Sequence, residues 1–192
     1  MLSHEAMRPL IAASVLATLL ATATPGRAHM LADRLAPDHC RTPPALIENP
    51  GAVPPGLVAE LLTWIGEATD YDLTTSHATP PDVAFCRIGD VIPYESGTAL
   101  VDETLNGAYD LSNHRVILVQ PWDAKTPRDR SVLLHELIHH VQLENRGYEC
   151  LQAPEWEAYE LQEAYLAQQG VDAGFDWLQI YFLSRCPRDH HP

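Results

Sequence analysis

The run SVLLHELIHHVQLENRG (residues 131–147) sets His135 and His139 four positions apart, with Glu136 directly after the first and His140 directly after the second. On a helix, residues i and i+4 share one face, about 6 Å apart along the axis. Both imidazoles can then reach one metal ion, and a nitrogen pair suits zinc at about 2.0–2.1 Å. Glu136 falls about 100° around the helix from His135. From there its carboxylate stands beside the metal rather than on it, able to take a proton from a water whose pKa zinc lowers to about 7. One turn of helix thus encodes two ligands and a base. His140 points about 100° away from the second ligand and reads as a supporting or surface residue.

Ten histidines and thirteen glutamates in 192 residues would produce H-E-x-x-H by chance in roughly three or four per cent of such chains. The surroundings argue further against accident. The spacers Leu137 and Ile138 are apolar, and Val132, Leu133, Leu134 and Val141 extend the stripe. Such a helix is built into a core, where histidines without partners would leave buried nitrogens unanswered. A catalytic zinc also needs a third protein ligand and an open position. Downstream, PEWEAYELQ offers Glu155, Glu157 and Glu160. The linker from Gly147 to Pro154, about eight residues at roughly 3.3 Å each, can return the following helix to the metal.

HELIH at 135–139 followed by Glu155-Trp156-Glu157-Ala158-Tyr159 resembles the gluzincin-type zinc metallopeptidases of the zincin superfamily, particularly their small secreted bacterial members. In many of these the third ligand is a glutamate with alanine three positions later and an aspartate, asparagine or aromatic residue after that. The resemblance therefore favours Glu155, beside Ala158 and Tyr159, with Glu157 as runner-up and Glu160 behind it. The metzincin arrangement is argued against, because Asn145 stands six residues beyond His139 and ENRGYEC lacks that family's glycine and third histidine. What the resemblance implies is peptide-bond hydrolysis with Zn2+ as cofactor and Glu136 as general base, passing its proton on to the leaving amine. An oxyanion helper is implied too, with Tyr159, Tyr165, His140 and His114 as candidates. The strand RVILV resembles the edge strand along which zincins lay an extended peptide substrate. The likeness spans about residues 105–165, and the N-terminal third carries no such motif. Two other readings stand beside it. One is a zincin-fold protein that binds zinc or a partner without catalysis, although a structural site is closed by four protein ligands and has no use for Glu136. The other is hydrolysis of a different amide, such as a cell-wall peptide crosslink.

These residues need an α+β domain to position them. GLVAELLTWIGEAT has Leu57, Leu61, Leu62, Trp64 and Ile65 at helical spacing and reads as a core helix. Short β-like pieces follow at Val83–Ile88 and Thr98–Val101. AYDLSNHRVILVQ reads as a hairpin, with Ser112-Asn113 separating Tyr109–Leu111 from Arg115–Val119. Pro127 fits the first turn of the next helix with Thr126 as its N-cap; the helix runs to about Asn145 and stops at Gly147. Pro154 opens EWEAYELQEAYLAQQ, which Gly170 ends, and DWLQIYFLSRC forms the last helix. The expected architecture is a small zincin-like α+β domain: a short, mostly antiparallel sheet packed on a core helix and the HExxH helix, then a glutamate helix and a C-terminal helix.

At the N-terminus Arg8 precedes an apolar stretch from about Leu10 to Leu20, and Gly26-x-Ala28 fits a signal-peptidase site, with Ala21-x-Ala23 as an earlier option. The stretch is shorter than the ~20 residues a membrane span needs. The expectation is a signal peptide over 1–28, a proline-rich arm over 29–55 and the metallopeptidase domain over 56–192, acting in the periplasm or outside the cell. Losing Arg8, Arg27 and Glu5 takes the net charge from −14 to −15. Such acidity argues against nucleic acid and, once the signal is cleaved, against a membrane surface, since both need basic patches. The expected partner is a peptide or protein substrate; nothing in the sequence specifies an oligomeric state. Cys40, Cys86, Cys150 and Cys186 contain no CxxC pair. In an exported chain they point to two disulfides, expected as Cys40–Cys86 and Cys150–Cys186. The closing RDHHP reads as a tail.

Overall fold

The computed structural model describes residues 52–94 and 97–187. Helix α1 (Leu57–Ala68) and the short α2 (Thr74–Ala78) precede β1 (Asp82–Arg87), β2 (Val91–Tyr94), β3 (Gly97–Leu100), β4 (Gly107–Asp110) and β5 (Arg115–Gln120). Helices α3 (Pro127–Asn145), α4 (Glu155–Gln168) and α5 (Trp177–Leu183) complete an α+β domain.

The sheet is organised by how apolar β5 is. Four consecutive side chains, Val116 to Val119, are buried, and in a strand that requires cover on both faces. Val116 and Leu118 face the main core with Phe85, α1 and α3, while Ile117 and Val119 face a second cluster with Cys86, Ile92 and Val101. β5 is accordingly the middle strand. β1 lies parallel to it, Asp82 opposite Arg115, and β4 antiparallel, Gly107 opposite Leu118. β2 and β3 form a separate antiparallel ribbon that contributes Ile92 to the second cluster. The expectation that RVILV is an edge strand is therefore wrong. A run buried on both faces belongs inside a sheet, and the short, glycine-led β4 takes the edge.

Asp110 closes the β4–β5 hairpin. Its Oδ1 accepts from the backbone N–H of Ser112 (3.1 Å) and of Asn113 (3.2 Å), and its Oδ2 accepts from Asn113 Nδ2 (2.7 Å). His114 follows at φ 48°, a left-handed conformation that lets the chain reverse over four residues.

α3 begins as its sequence indicates, with Pro127 in the first turn and Thr126 Oγ1 accepting from the Asp129 N–H (3.2 Å). From Leu133 to Gln142 every side chain is buried, because α1, β4, β5 and α4 pack around the helix. Leu133, Leu134, Leu137, Ile138 and Val141 join Leu57, Leu61, Leu62 and Ile65 of α1 in one core. Cys150, ahead of α4, is bonded to Cys186, just past α5. Among the described residues no helix is long and apolar enough to cross a membrane. The signal peptide, the proline-rich arm up to residue 51, Cys40 with its expected bond to Cys86, and the RDHHP tail lie outside the described residues.

Leu137→Ala removes a fully buried side chain from the centre of this core and is expected to lower the unfolding free energy by about 2–5 kcal/mol. Thr126→Ala, which removes only the cap, is expected to cost about 1 kcal/mol. Urea denaturation of both variants at one zinc concentration checks the order; equal losses would mean that α3 is not the centre of the core.

Candidate metal centre

α3 presents His135 and His139 from one face, and the first residue of α4 brings Glu155 to them. The three offer ligand atoms within 4.8 Å of one another and could hold a metal ion. His135 Nε2 lies 3.1 Å from His139 Nε2 and 3.3 Å from Glu155 Oε2, and His139 Nε2 lies 3.4 Å from Glu155 Oε1. A tetrahedron with bonds of about 2.0–2.1 Å has edges of about 3.3 Å, close to the spacing of the two imidazole nitrogens and of each from one carboxylate oxygen of Glu155.

Two glutamines aim the imidazoles. Gln142 Nε2 donates to the Pro154 carbonyl (3.1 Å) and to Glu157 Oε2 (2.8 Å), both of which only accept. That fixes the amide, so Gln142 Oε1 accepts from His139 Nδ1 (3.1 Å). Gln162 works the same way on His135: the Ser131 hydroxyl is spent on the Arg128 carbonyl (2.7 Å), and its oxygen accepts from Gln162 Nε2 (3.0 Å). Gln162 Oε1 therefore accepts from His135 Nδ1 (3.0 Å). Each imidazole carries its proton on Nδ1 and turns the Nε2 lone pair toward the other ligands, the arrangement metal-binding histidines need. Sequence reasoning missed both glutamines. The signal was present, since Gln142 stands three positions after His139 and Gln162 seven after Glu155, each on the same face as its ligand.

Glu136 is buried beside the three and makes no hydrogen bond among the described residues. Burial raises its pKa above the usual carboxylate range; His135 and His139 pull it down, and Glu155 adds to the rise. For Glu155 burial also acts upward, but hydrogen bonds and charge from the two histidines outweigh it and hold the carboxyl well below that range. The same contact appears on the other partner, where burial lowers His139 but Glu155 and Glu136 prevail and raise it. Gly107, at the start of β4, lies directly against Glu136. A Cβ there would stand 2.8 Å from Glu136 Oε1 and 2.9 Å from Val132 Cγ1, so any side chain would displace the carboxylate or the edge strand.

The group opens on a cleft of about 810 Å³. β4 and the loop before it form one wall, the segment from Gly174 to Leu183 another, and no lysine or arginine lines it. Tyr159 lines it too, its ring edge-on to His135 with centroids 4.6 Å apart. Burial, then Glu155 and Glu136, push its phenol up to about 12. The Tyr159 hydroxyl stays protonated, and among the described residues nothing bonds to it.

The other sequence candidates are elsewhere. Tyr165 is in the core, its hydroxyl accepting from Arg130 Nε (3.1 Å). His114 is exposed on the hairpin turn. Glu160 is exposed, and Glu157 accepts from the Tyr71 hydroxyl (2.6 Å), Gln142 and Arg146. His140 is 1% exposed, so it is a supporting residue and not a surface one. Its Nδ1 lies 2.9 Å from the Tyr109 hydroxyl of β4, and its Nε2 lies 3.5 Å from Glu144 Oε1. Burial lowers its pKa, Glu144 opposes that, and His114 adds to it. His140 thereby ties the edge strand to the metal-site helix.

A family model described as "Domain of unknown function (DUF6647)" matches residues 51–192. No curated protein and no solved structure matches the chain.

Glu155→Ala is expected to weaken zinc binding at least 100-fold, and Gln142→Leu by about 10–100-fold, whereas Glu160→Ala leaves it unchanged. Competition with a chromogenic chelator measures all three. Loss of binding in the Glu160 variant, with retention in the Glu155 variant, would reassign the third ligand.

Proposed function

The chain belongs to the DUF6647 family, and we propose that it is an exported zinc-dependent hydrolase that cleaves peptide bonds. The observation that carries this is Glu136. It is a buried carboxylate outside the His135, His139 and Glu155 group that could hold a metal ion, set beside that group on a cleft of about 810 Å³. A metal held only for structure needs no such group and is closed by a fourth protein ligand. The donor set supports zinc in particular, because two imidazoles and one carboxylate with room for a water are what a catalytic zinc takes. The cleft volume falls within the range of about 300–1,000 Å³ common to ligand sites.

His135, His139 and Glu155 would hold the ion, and Gln142 and Gln162 keep the two rings in register. When bound, zinc supplies a Lewis acid for the carbonyl and lowers the pKa of water to about 7. Glu136 takes the proton of the attacking water and hands it to the leaving amine. Tyr159 donates its O–H toward the oxygen on which charge develops. Among the described residues β4 is paired only on its β5 side. Its other edge faces the cleft wall, where an extended peptide can add as a strand and bring its backbone past Glu136.

Export is supported by the signal-like N-terminus, and an oxidising compartment by the Cys150–Cys186 bond.

Glu136→Gln is expected to keep a full complement of zinc by atomic emission while hydrolysis of a peptide library, read by mass spectrometry, falls at least 1,000-fold. Tyr159→Phe is expected to lower kcat by about 100-fold with KM little changed. Full activity in the Glu136 variant would remove the proposed base, and with it the mechanism.

A further inference from the structure

A chain of rings leads out of the metal site. Tyr159 packs on His135, Phe175 on Tyr159 (5.2 Å), Trp177 on Phe175 (6.2 Å), Trp156 on Trp177 (5.1 Å) and Tyr181 on Trp156 (6.3 Å). It ends at Phe182, whose ring is 5.6 Å from Tyr181 and which is 57% exposed. Around it Trp156, Leu178, Tyr181 and Leu183 are exposed as well. Of the seven side chains of α5 only Ile180 is buried, so the core does not account for the rest. An apolar surface of this extent marks an interaction site.

The position of the corner says what interacts. Phe175, Ile180 and Leu183 line the cleft, so the aromatic surface continues the cleft wall outward. Charge restricts the occupant further: Glu136, Glu155, Asp110 and Asp176 line the cleft, and no lysine or arginine does. Even with a dipositive ion bound, these four carboxylates leave the cleft net negative, and an acidic segment entering it would be disfavoured. The Cys150–Cys186 bond joins the start of α4 to the end of α5 and holds the corner as a fixed wall.

We infer that the α4–α5 corner is an extended subsite for the substrate of the metal centre. It takes large apolar side chains of the same polypeptide, several residues from the bond cut, and the cleft discriminates against acidic segments. This rests on the reading that a peptide enters the cleft. Binding along the corner adds affinity remote from the reacting atoms, where the edge of β4 recognises only backbone.

The test uses the double variant Tyr181→Ser/Phe182→Ser, with circular dichroism and zinc content confirming the fold. On the zinc-loaded Glu136→Gln background, calorimetry compares an uncharged peptide of about twelve residues carrying Leu and Phe with the same peptide carrying Asp at those places. The apolar peptide is expected to bind at least tenfold more tightly, and the double substitution to remove about tenfold of its affinity while leaving the Asp peptide unchanged. On the active background, kcat/KM for the long peptide falls about tenfold through KM, and kcat on a four-residue peptide is unaltered. Equal affinity for the two peptides, or unchanged affinity in the double variant, overturns the subsite. So does a shift from dimer to monomer in light scattering with peptide affinity intact, which would make the corner a self-association face. Binding as expected without hydrolysis by the wild-type chain would sink the peptidase reading and leave the subsite standing.

Discussion

A helix buried on every side carries His135, Glu136, His139, His140 and Gln142 into its own core, and most of the domain is arranged around that constraint. Unanswered polar groups in an apolar interior cost free energy that aliphatic packing cannot return. All of them but Glu136 therefore recruit a hydrogen-bonding neighbour. Gln142 reaches His139 with its oxygen and the Pro154 carbonyl with its nitrogen. One side chain thus orients a ligand and secures the start of α4, the residue before Glu155. Gln162 reaches back from α4 to His135 and, through Ser131, to the backbone of α3. Glu155 arrives beside the two imidazoles because these amides bring the two helices together around it.

Features that depend on short spacing along one element were legible in the sequence. HELIH placed two imidazoles and a carboxylate together on one helix, and Thr126-Pro127 marked the helix start. The glutamate helix and the Cys150–Cys186 bond were also readable. Among Glu155, Glu157 and Glu160, spacing alone left three choices. Resemblance favoured the first, and the fold gives the reason: Glu157 is held by Tyr71, Gln142 and Arg146, while Glu160 points into solvent.

What depends on contacts between distant elements was hidden. RVILV reads as apolar in any sheet, and only the parallel pairing of β1 shows that it is the middle strand. The ribbon strand β2 contains Pro93, which weakens a strand signal. α2 is a single turn with no room for a helical period to register. Nothing in the sequence singles out Gly107, yet a Cβ there would run into Glu136 and Val132. His140 shares its face with Glu144, an ordinary helix pair in sequence, and its partner Tyr109 lies across a tertiary interface.

The contacts at Gly107 and His140 share a direction, since each ties the edge strand to the helix that carries His135 and His139. Gly107 lets β4 approach until backbone meets the Glu136 carboxylate, and three residues later Asp110 locks the turn that ends the strand. Between them Tyr109, which also lines the cleft, is held by His140, one turn on from Glu136 along α3. A displacement of α3 therefore carries β4 with it, and the separation between cleft wall and carboxylate is preserved. In a domain with so few strands, the sheet alone would leave a four-residue edge free to fray. His140, directly after His139 and outside the candidate ligand group, gives that edge an anchor in a buried helix.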